Sequence, residues 1–299
     1  MFFLKKRRGV SLLITLSIIA AMLAMIGVLF GYIHAARERA DFDAATVQSN
    51  LLRADLNALL KKALGTKPSV HTMENFYKIP FYVQTKSGIF QLQAGCSPLM
   101  NRLRIDWLGM DVRRKDPRRY QLALETFETL AQQANLEDPS LFLELITQAL
   151  EGQGVRYGAV ERLQGKKGII NKRSFRRLMD EYRLQKDDPK IYQIKWENFF
   201  TFSEERKIKE LDAQFAPPEL LAMLFDVDPA VVKEDFIPGK LDDFLSEIGE
   251  NRKRYAWLFT KGTLAAMECK GSFAYRGKSY PFHFDYIQQR IKNFGLGYK

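Results

Sequence analysis

Three histidines, two cysteines and a few paired carboxylates are the side chains most able to do chemistry. His34, His71 and His283 are scattered, no CxxC is present, and zinc therefore has no support. His283 is flanked by Phe282 and Phe284 in strand-forming sequence and reads as a sheet-surface or partly packed residue. No Ser-His-Asp order, HExxH or GxGxxG occurs. Gly165-Lys166-Lys167-Gly168 lacks the glycine spacing and terminal Ser or Thr of a phosphate loop. Asp187-Asp188 and Asp242-Asp243 could offer oxygen ligands to calcium, but helix capping and loop solvation explain them without a metal. The expectation is no catalytic residue, no metal site, no cofactor and no enzymatic activity, with calcium the one ion these carboxylates would suit. Cys96 and Cys269 remain as a candidate disulfide if the body of the protein is exported. Spacing alone leaves open whether they meet.

The elements that would position these groups begin with the first 40 residues. Lys5, Lys6, Arg7 and Arg8 precede an uncharged run over 10–33, and the next charge is Arg37. A helix rises about 1.5 Å per residue, so roughly 20 apolar residues cross a bilayer core of about 30 Å. A cleaved secretory signal would have an apolar region of only about 7–15 residues. The run therefore predicts a transmembrane helix in contact with membrane lipid. Basic residues beside a span stay cytoplasmic, which places the N-terminus inside and the body outside.

The helix is expected to continue over 34–65 as an amphipathic segment. Phe42, Ala45, Leu52, Leu56, Leu59 and Ala63 recur at steps of three, four or seven, and Gly65 and Pro68 supply the stop. Two short strands are predicted within 76–93 around Lys86-Ser87-Gly88, with a further extended run over 101–107. Helices follow over 117–133, capped by Asp116, and over 139–150, opened by Asp138. Others are predicted over 174–184, 220–225, 230–234 and 240–248, several with Pro or Asp at their start. Strands return over 255–259, 262–274 and 279–286, the last two joined by a turn at Arg276-Gly277-Lys278. Two strands near residue 85 cannot stand alone. The economical arrangement is an α+β fold: one sheet over 76–110 and 251–299, interrupted by a helical insertion over 111–250.

Composition limits the function classes. Hydrophobic residues make up 46% and aromatics 12%, too apolar for a disordered tail. The net charge of +11 could suggest nucleic acid, but four of the cations sit before the apolar run and the rest are interleaved with acids. Nucleic acid is therefore not expected as a partner. The densest basic stretch, over 166–177 with Lys172, Arg173, Arg176 and Arg177, is where such binding would have to lie.

Arg8-Gly9-Val10-Ser11-Leu12-Leu13 has the form of a type IV prepilin leader junction. The resemblance implies a leader over 1–9, cut by a prepilin peptidase between Gly9 and Val10. Most pilins carry a Glu five residues into the mature chain, and here that position is Ile14. An unpaired carboxylate in lipid is costly, so its absence fits a subunit with none above it. The minor pseudopilins called general secretion pathway protein K (GspK) also lack that Glu, and the chain resembles them elsewhere. Ala216-Pro217-Pro218-Glu219-Leu220-Leu221-Ala222 is similar to their recurrent Asn-Thr-Ala-Pro-x-Glu-Val-Leu-Ala-Ala-Leu segment, although Asp212-Ala213-Gln214-Phe215 departs from it. The run from Lys270 to Tyr280 resembles their closing hairpin.

The resemblance implies a long transmembrane and amphipathic helix packed on a small antiparallel pilin-like sheet, with a large all-helical insertion. It implies a non-enzymatic subunit at the tip of a periplasmic pseudopilus in a type II secretion-like system, held in a bacterial inner membrane. Its partners would be other minor pseudopilins and the inner-membrane secretion platform. A minor pilin of a type IV pilus or competence filament that takes up DNA is the alternative. A solitary anchored adaptor is a third, if no leader is cut.

Overall fold

A computed structural model describes residues 5–84, 90–152, 170–203, 208–275 and 277–297. The expected turn at Lys86-Ser87-Gly88, the stretch Gly165-Lys166-Lys167-Gly168 and Arg276 lie outside the described residues.

Helix α1 (Lys5–Leu64) runs unbroken for 60 residues. Neither Gly nor Pro interrupts its soluble half, and in its apolar half the Ser17 hydroxyl bonds back to the Leu13 carbonyl at 2.9 Å. Gly65 ends it in the left-handed region (φ 61°), its N–H donating to Lys61 O at 3.0 Å. Helix α2 (Val70–Lys78) follows, with the Ser69 side chain accepting from Thr72 N.

The antiparallel sheet has the order β1-β2-β5-β6-β7, formed by β1 (Phe81–Gln84), β2 (Phe90–Pro98), β5 (Ala266–Tyr275), β6 (Lys278–Ile287) and β7 (Arg290–Leu296). Strand alternation places Leu92, Ala94 and Cys96 of β2, Met267, Cys269 and Phe273 of β5, and Phe282, Phe284 and Tyr286 of β6 in one core with α1. Gly271 is required there, because a Cβ would collide with the carbonyl oxygen of Gln93 on the neighbouring strand.

Between β2 and β5 lies a second, larger core drawing on residues from Leu103 to Phe259. A short parallel pair, β3 (Leu103–Arg104) and β4 (Phe200–Thr201), closes one part of it. Seven helices supply most of the rest: α3 (Met110–Lys115), α4 (Pro117–Gln133), α5 (Pro139–Leu150), α6 (Lys172–Lys186), α7 (Pro218–Phe225), α8 (Pro229–Asp235) and α9 (Leu241–Glu247). Asp116, Asp138, Asn171 and Asp228 cap four of them through side-chain oxygens. Phe142 is the hub of this core, with ring centroids of Tyr182, Trp196, Phe175 and Phe127 within 5.5–6.0 Å.

The α+β fold agrees with expectation, and several local expectations do not. Phe76 and Tyr77 belong to α2, since the Ser69 cap starts a helix that carries them. The run 101–107 contains only two strand residues before a 3-10 turn at Ile105–Leu108. The expected strand over 255–259 is replaced by a 3-10 turn at Arg252–Tyr255 and a single bridge from Phe259 to Leu211. Strand β7 was not anticipated. Gln288 and Gln289 make its tight turn with φ of 51° and 61°, without the glycine that usually announces one.

Candidate assembly surface

The two halves of α1 present different surfaces. Leu12, Leu16, Leu23, Phe30 and the other large apolar side chains described in the first half are exposed. This half is long and apolar enough to cross a membrane, with a mean hydropathy of 2.7 in its most apolar window. Gly9 and Val10 lie within its helical backbone, and Ile14 is 52% exposed.

The second half has two apolar stripes. Ala45, Ser49, Leu52, Leu56, Leu60 and Leu64 are buried against the sheet. Ala40, Val47, Leu51, Ala54 and Ala58 are exposed, and Ala44 between them is half-buried. The second series advances by four and three residues in alternation, the step that keeps one narrow seam along a helix. Val47 is 64% exposed and Leu51 58%, so large apolar groups on this seam are left largely uncovered by the described residues. The alanines would let a second helix approach closely, because they leave the backbone uncovered. The packing face expected from the sequence was partly wrong: Phe42, Leu59 and Ala63 are exposed and belong to neither stripe, while Ala45, Leu52 and Leu56 are buried.

Polar contacts fix which stripe faces out. Lys278 Nζ meets Asp41 Oδ2 at 2.7 Å, and that carboxylate pushes the ammonium pKa up. Ile291 on edge strand β7 donates its N–H to Asn57 Oδ1 at 3.0 Å, while Arg53 Nη2 donates to Ile291 O at 3.3 Å. These contacts give α1 a single rotational setting on the sheet. They also cover part of a strand edge that would otherwise offer free backbone groups.

Cys96 and Cys269 pair directly across β2 and β5 and are joined by a disulfide, with a Cα–Cα distance of 4.1 Å. The acidic pairs do not come together. Asp188 is buried and accepts from the N–H groups of Glu137 and Lys190 and from the Tyr182 hydroxyl; these donors outweigh burial and hold its pKa below the ordinary carboxylate range. Asp187 caps the end of α6 in the left-handed region (φ 52°). Asp242 meets Arg252 at 3.0 Å in the first turn of α9, beside exposed Asp243. Each carboxylate pair thus has a structural role where it stands. Of the described basic residues near 172–177, Lys172 reaches Glu268 at 3.4 Å, and the Arg176 guanidinium lies 4.4 Å from the Tyr192 ring centroid. His283 is half-buried on the sheet, against Gly295.

The segment from Asp212 to Phe225 joins the two cores. Buried Asp212 accepts from Gln214 N at 3.2 Å and Leu264 N at 2.8 Å. Burial raises its pKa to about 6 against the opposing pull of those donors. Gln214 Oε1 accepts from Leu241 N, and Phe215 packs edge-on against Tyr77 of α2 at 4.9 Å.

No protein-family model matches the chain, and no curated protein matches it. Among solved structures, it is similar to a chain of the GspK-GspI-GspJ complex from the enterotoxigenic Escherichia coli type 2 secretion system. The TM-score is 0.59 at 11% identity, and the match covers 87% of this chain and 100% of that chain. A long apolar N-terminal helix on an antiparallel sheet, carrying a large helical unit, gives this chain a pseudopilin-like fold.

Proposed function

We propose that the chain is a minor pseudopilin of a type II secretion-like system, acting without catalysis at the tip of a periplasmic pseudopilus. The carrying observation is the exposed seam on α1, continuous with a membrane-length apolar helix in a pseudopilin-like fold. A helix that buries one stripe on its own sheet and exposes a second at helix-packing spacing is suited to lateral contact with another helix. Other minor pseudopilins supply such helices, and the similar structure is itself a complex of three. The apolar half anchors the chain in the inner membrane with its basic N-terminus cytoplasmic and its body periplasmic. Ile14 leaves no carboxylate to answer an amine above it, which suits a subunit with none above it.

The deciding measurement is the mature N-terminus of protein purified from its native membrane. Mass spectrometry is expected to give a chain beginning at Val10, cut by a prepilin peptidase after Gly9. A chain beginning at Met1 removes the pseudopilin role and leaves a bitopic adaptor. A correctly cut chain that copurifies with pilus subunits, and whose DNA binding collapses with salt, would instead make it a minor pilin of a DNA-handling filament.

A further inference from the structure

The helical unit carries a cleft that the assembly seam does not use. It lies between the 3-10 turn at Ile105–Leu108, helix α3 and the C-terminal end of α5, and it holds about 510 Å³. That volume falls within the roughly 300–1,000 Å³ of ordinary ligand pockets. Trp107, Met110, Val112 and Leu150 supply an apolar wall. Most of the charged lining is already spent. Arg104 makes two hydrogen bonds to the Asp106 carboxylate, at 2.8 and 2.7 Å. Arg119 pairs with Asp116, and Arg114 approaches Asp111 at 3.4 Å. Glu151, the remaining acid, is engaged as well.

Lys115 and Lys209 are what remains. Both line the cleft, both are exposed, and neither has an ion-pair partner among the described residues. They come from separate elements, the end of α3 and the approach to Leu211, so the fold brings two cations without an ion-pair partner among the described residues to one cleft with an apolar wall. We propose that this cleft binds a short acidic peptide segment of a partner protein. One carboxylate would answer Lys115 and Lys209, and a neighbouring apolar side chain would seat against Met110, Val112 and Leu150. Nucleic acid fits less well, because the volume suits a few side chains better than a strand. This inference does not depend on the pseudopilin role.

The test uses the full chain in detergent micelles and a fluorescein-labelled hexapeptide of alternating Asp and Leu, read by anisotropy. Binding is expected to weaken at least about tenfold in the double variant Lys115→Glu, Lys209→Glu, the equivalent of about 1.4 kcal/mol. The double variant Lys115→Arg, Lys209→Arg should retain it, and the same peptide with Asn replacing Asp should lose it. Both lysines are exposed, so circular dichroism should be unchanged in either variant. Undetectable binding to the wild-type chain overturns the proposal. So does equal binding by the charge-reversed variant or of the Asn peptide. A short oligonucleotide that displaces the hexapeptide at lower concentration would overturn the peptide assignment.

Discussion

The sheet core draws on residues from Ala45 to Ile291, whereas the helical core draws on one stretch from Leu103 to Phe259. The first is closed by segments far apart in the chain: α1, β2 and the strands after residue 265. The second is built from successive capped helices around a group of touching aromatic rings. Chain closure costs entropy that only non-local contacts repay, so the sheet core depends on long-range devices. The disulfide, with its sequence separation of 173, is the strongest of these. The helical core has the cheaper route, because caps and neighbouring turns act before distant segments must meet.

All three tryptophans, Trp107, Trp196 and Trp257, lie in or against the helical core, so their fluorescence reports on that core alone. The contrast can therefore be pressed variant by variant. Replacing Cys96 and Cys269 with Ser should cost up to about 5 kcal/mol in the chain-entropy picture. Hydrogen exchange should show that loss in β2 and β5 while the tryptophan denaturation midpoint stays in place. An equal shift in both would mean that the two cores unfold as one. Phe142→Ala should do the reverse, destabilising the transition reported by tryptophan by about 4 kcal/mol and leaving exchange in β6 little changed.

Asp212 tests the joint between them. Its folded pKa is raised, to about 6, so the protonated carboxyl is the form that folding favours. The stability it confers is complete below the ordinary value near 3.8 and is lost as pH rises through about 6. The difference amounts to at most about 3 kcal/mol. Stability measured across that window should fall with rising pH, and Asp212→Asn should flatten the fall. A wild-type profile that is already flat would show that solvent reaches the carboxyl. Leu51→Ala is the smallest effect on folding, less than about 0.5 kcal/mol, because the side chain is exposed. If cross-linking to neighbouring subunits is nevertheless lost, the seam is an assembly surface. Unchanged cross-linking would leave the exposed stripe without that role.

Features written in local chemistry were legible in the sequence. Asp116-Pro117 and Asp138-Pro139 announced α4 and α5 because a carboxylate cap and a proline in the first turn act within a few residues. The β5–β6 hairpin was legible for a similar reason, since alternation and a glycine turn are also local. Sequence failed where tertiary contact outweighs propensity. The aromatic and apolar run around Tyr255 reads as a strand, yet Tyr255 instead packs its ring on Phe225 and Phe259 at 5.0 and 5.5 Å. The outward seam of α1 was hidden because its residues resemble those of the buried stripe, and only the sheet contacts decide which faces out. The cleft was hidden for a different reason. Lys115 and Lys209 are far apart in the chain, and neither has any distinguishing neighbour.

The disulfide sits where the chain leaves the sheet and where it returns. Cys96 comes just before the exit at Pro98, and Cys269 just after the re-entry at Ala266, with Leu99 N–H bonded to Ala266 O at 3.0 Å. Mechanically, this places the helical unit on a side branch. Tension applied along α1 and through β2 can cross to β5 by a covalent link, bypassing the 103–259 stretch entirely. The helical unit can then change shape, grow or shrink without slackening the line that runs from α1 into the sheet.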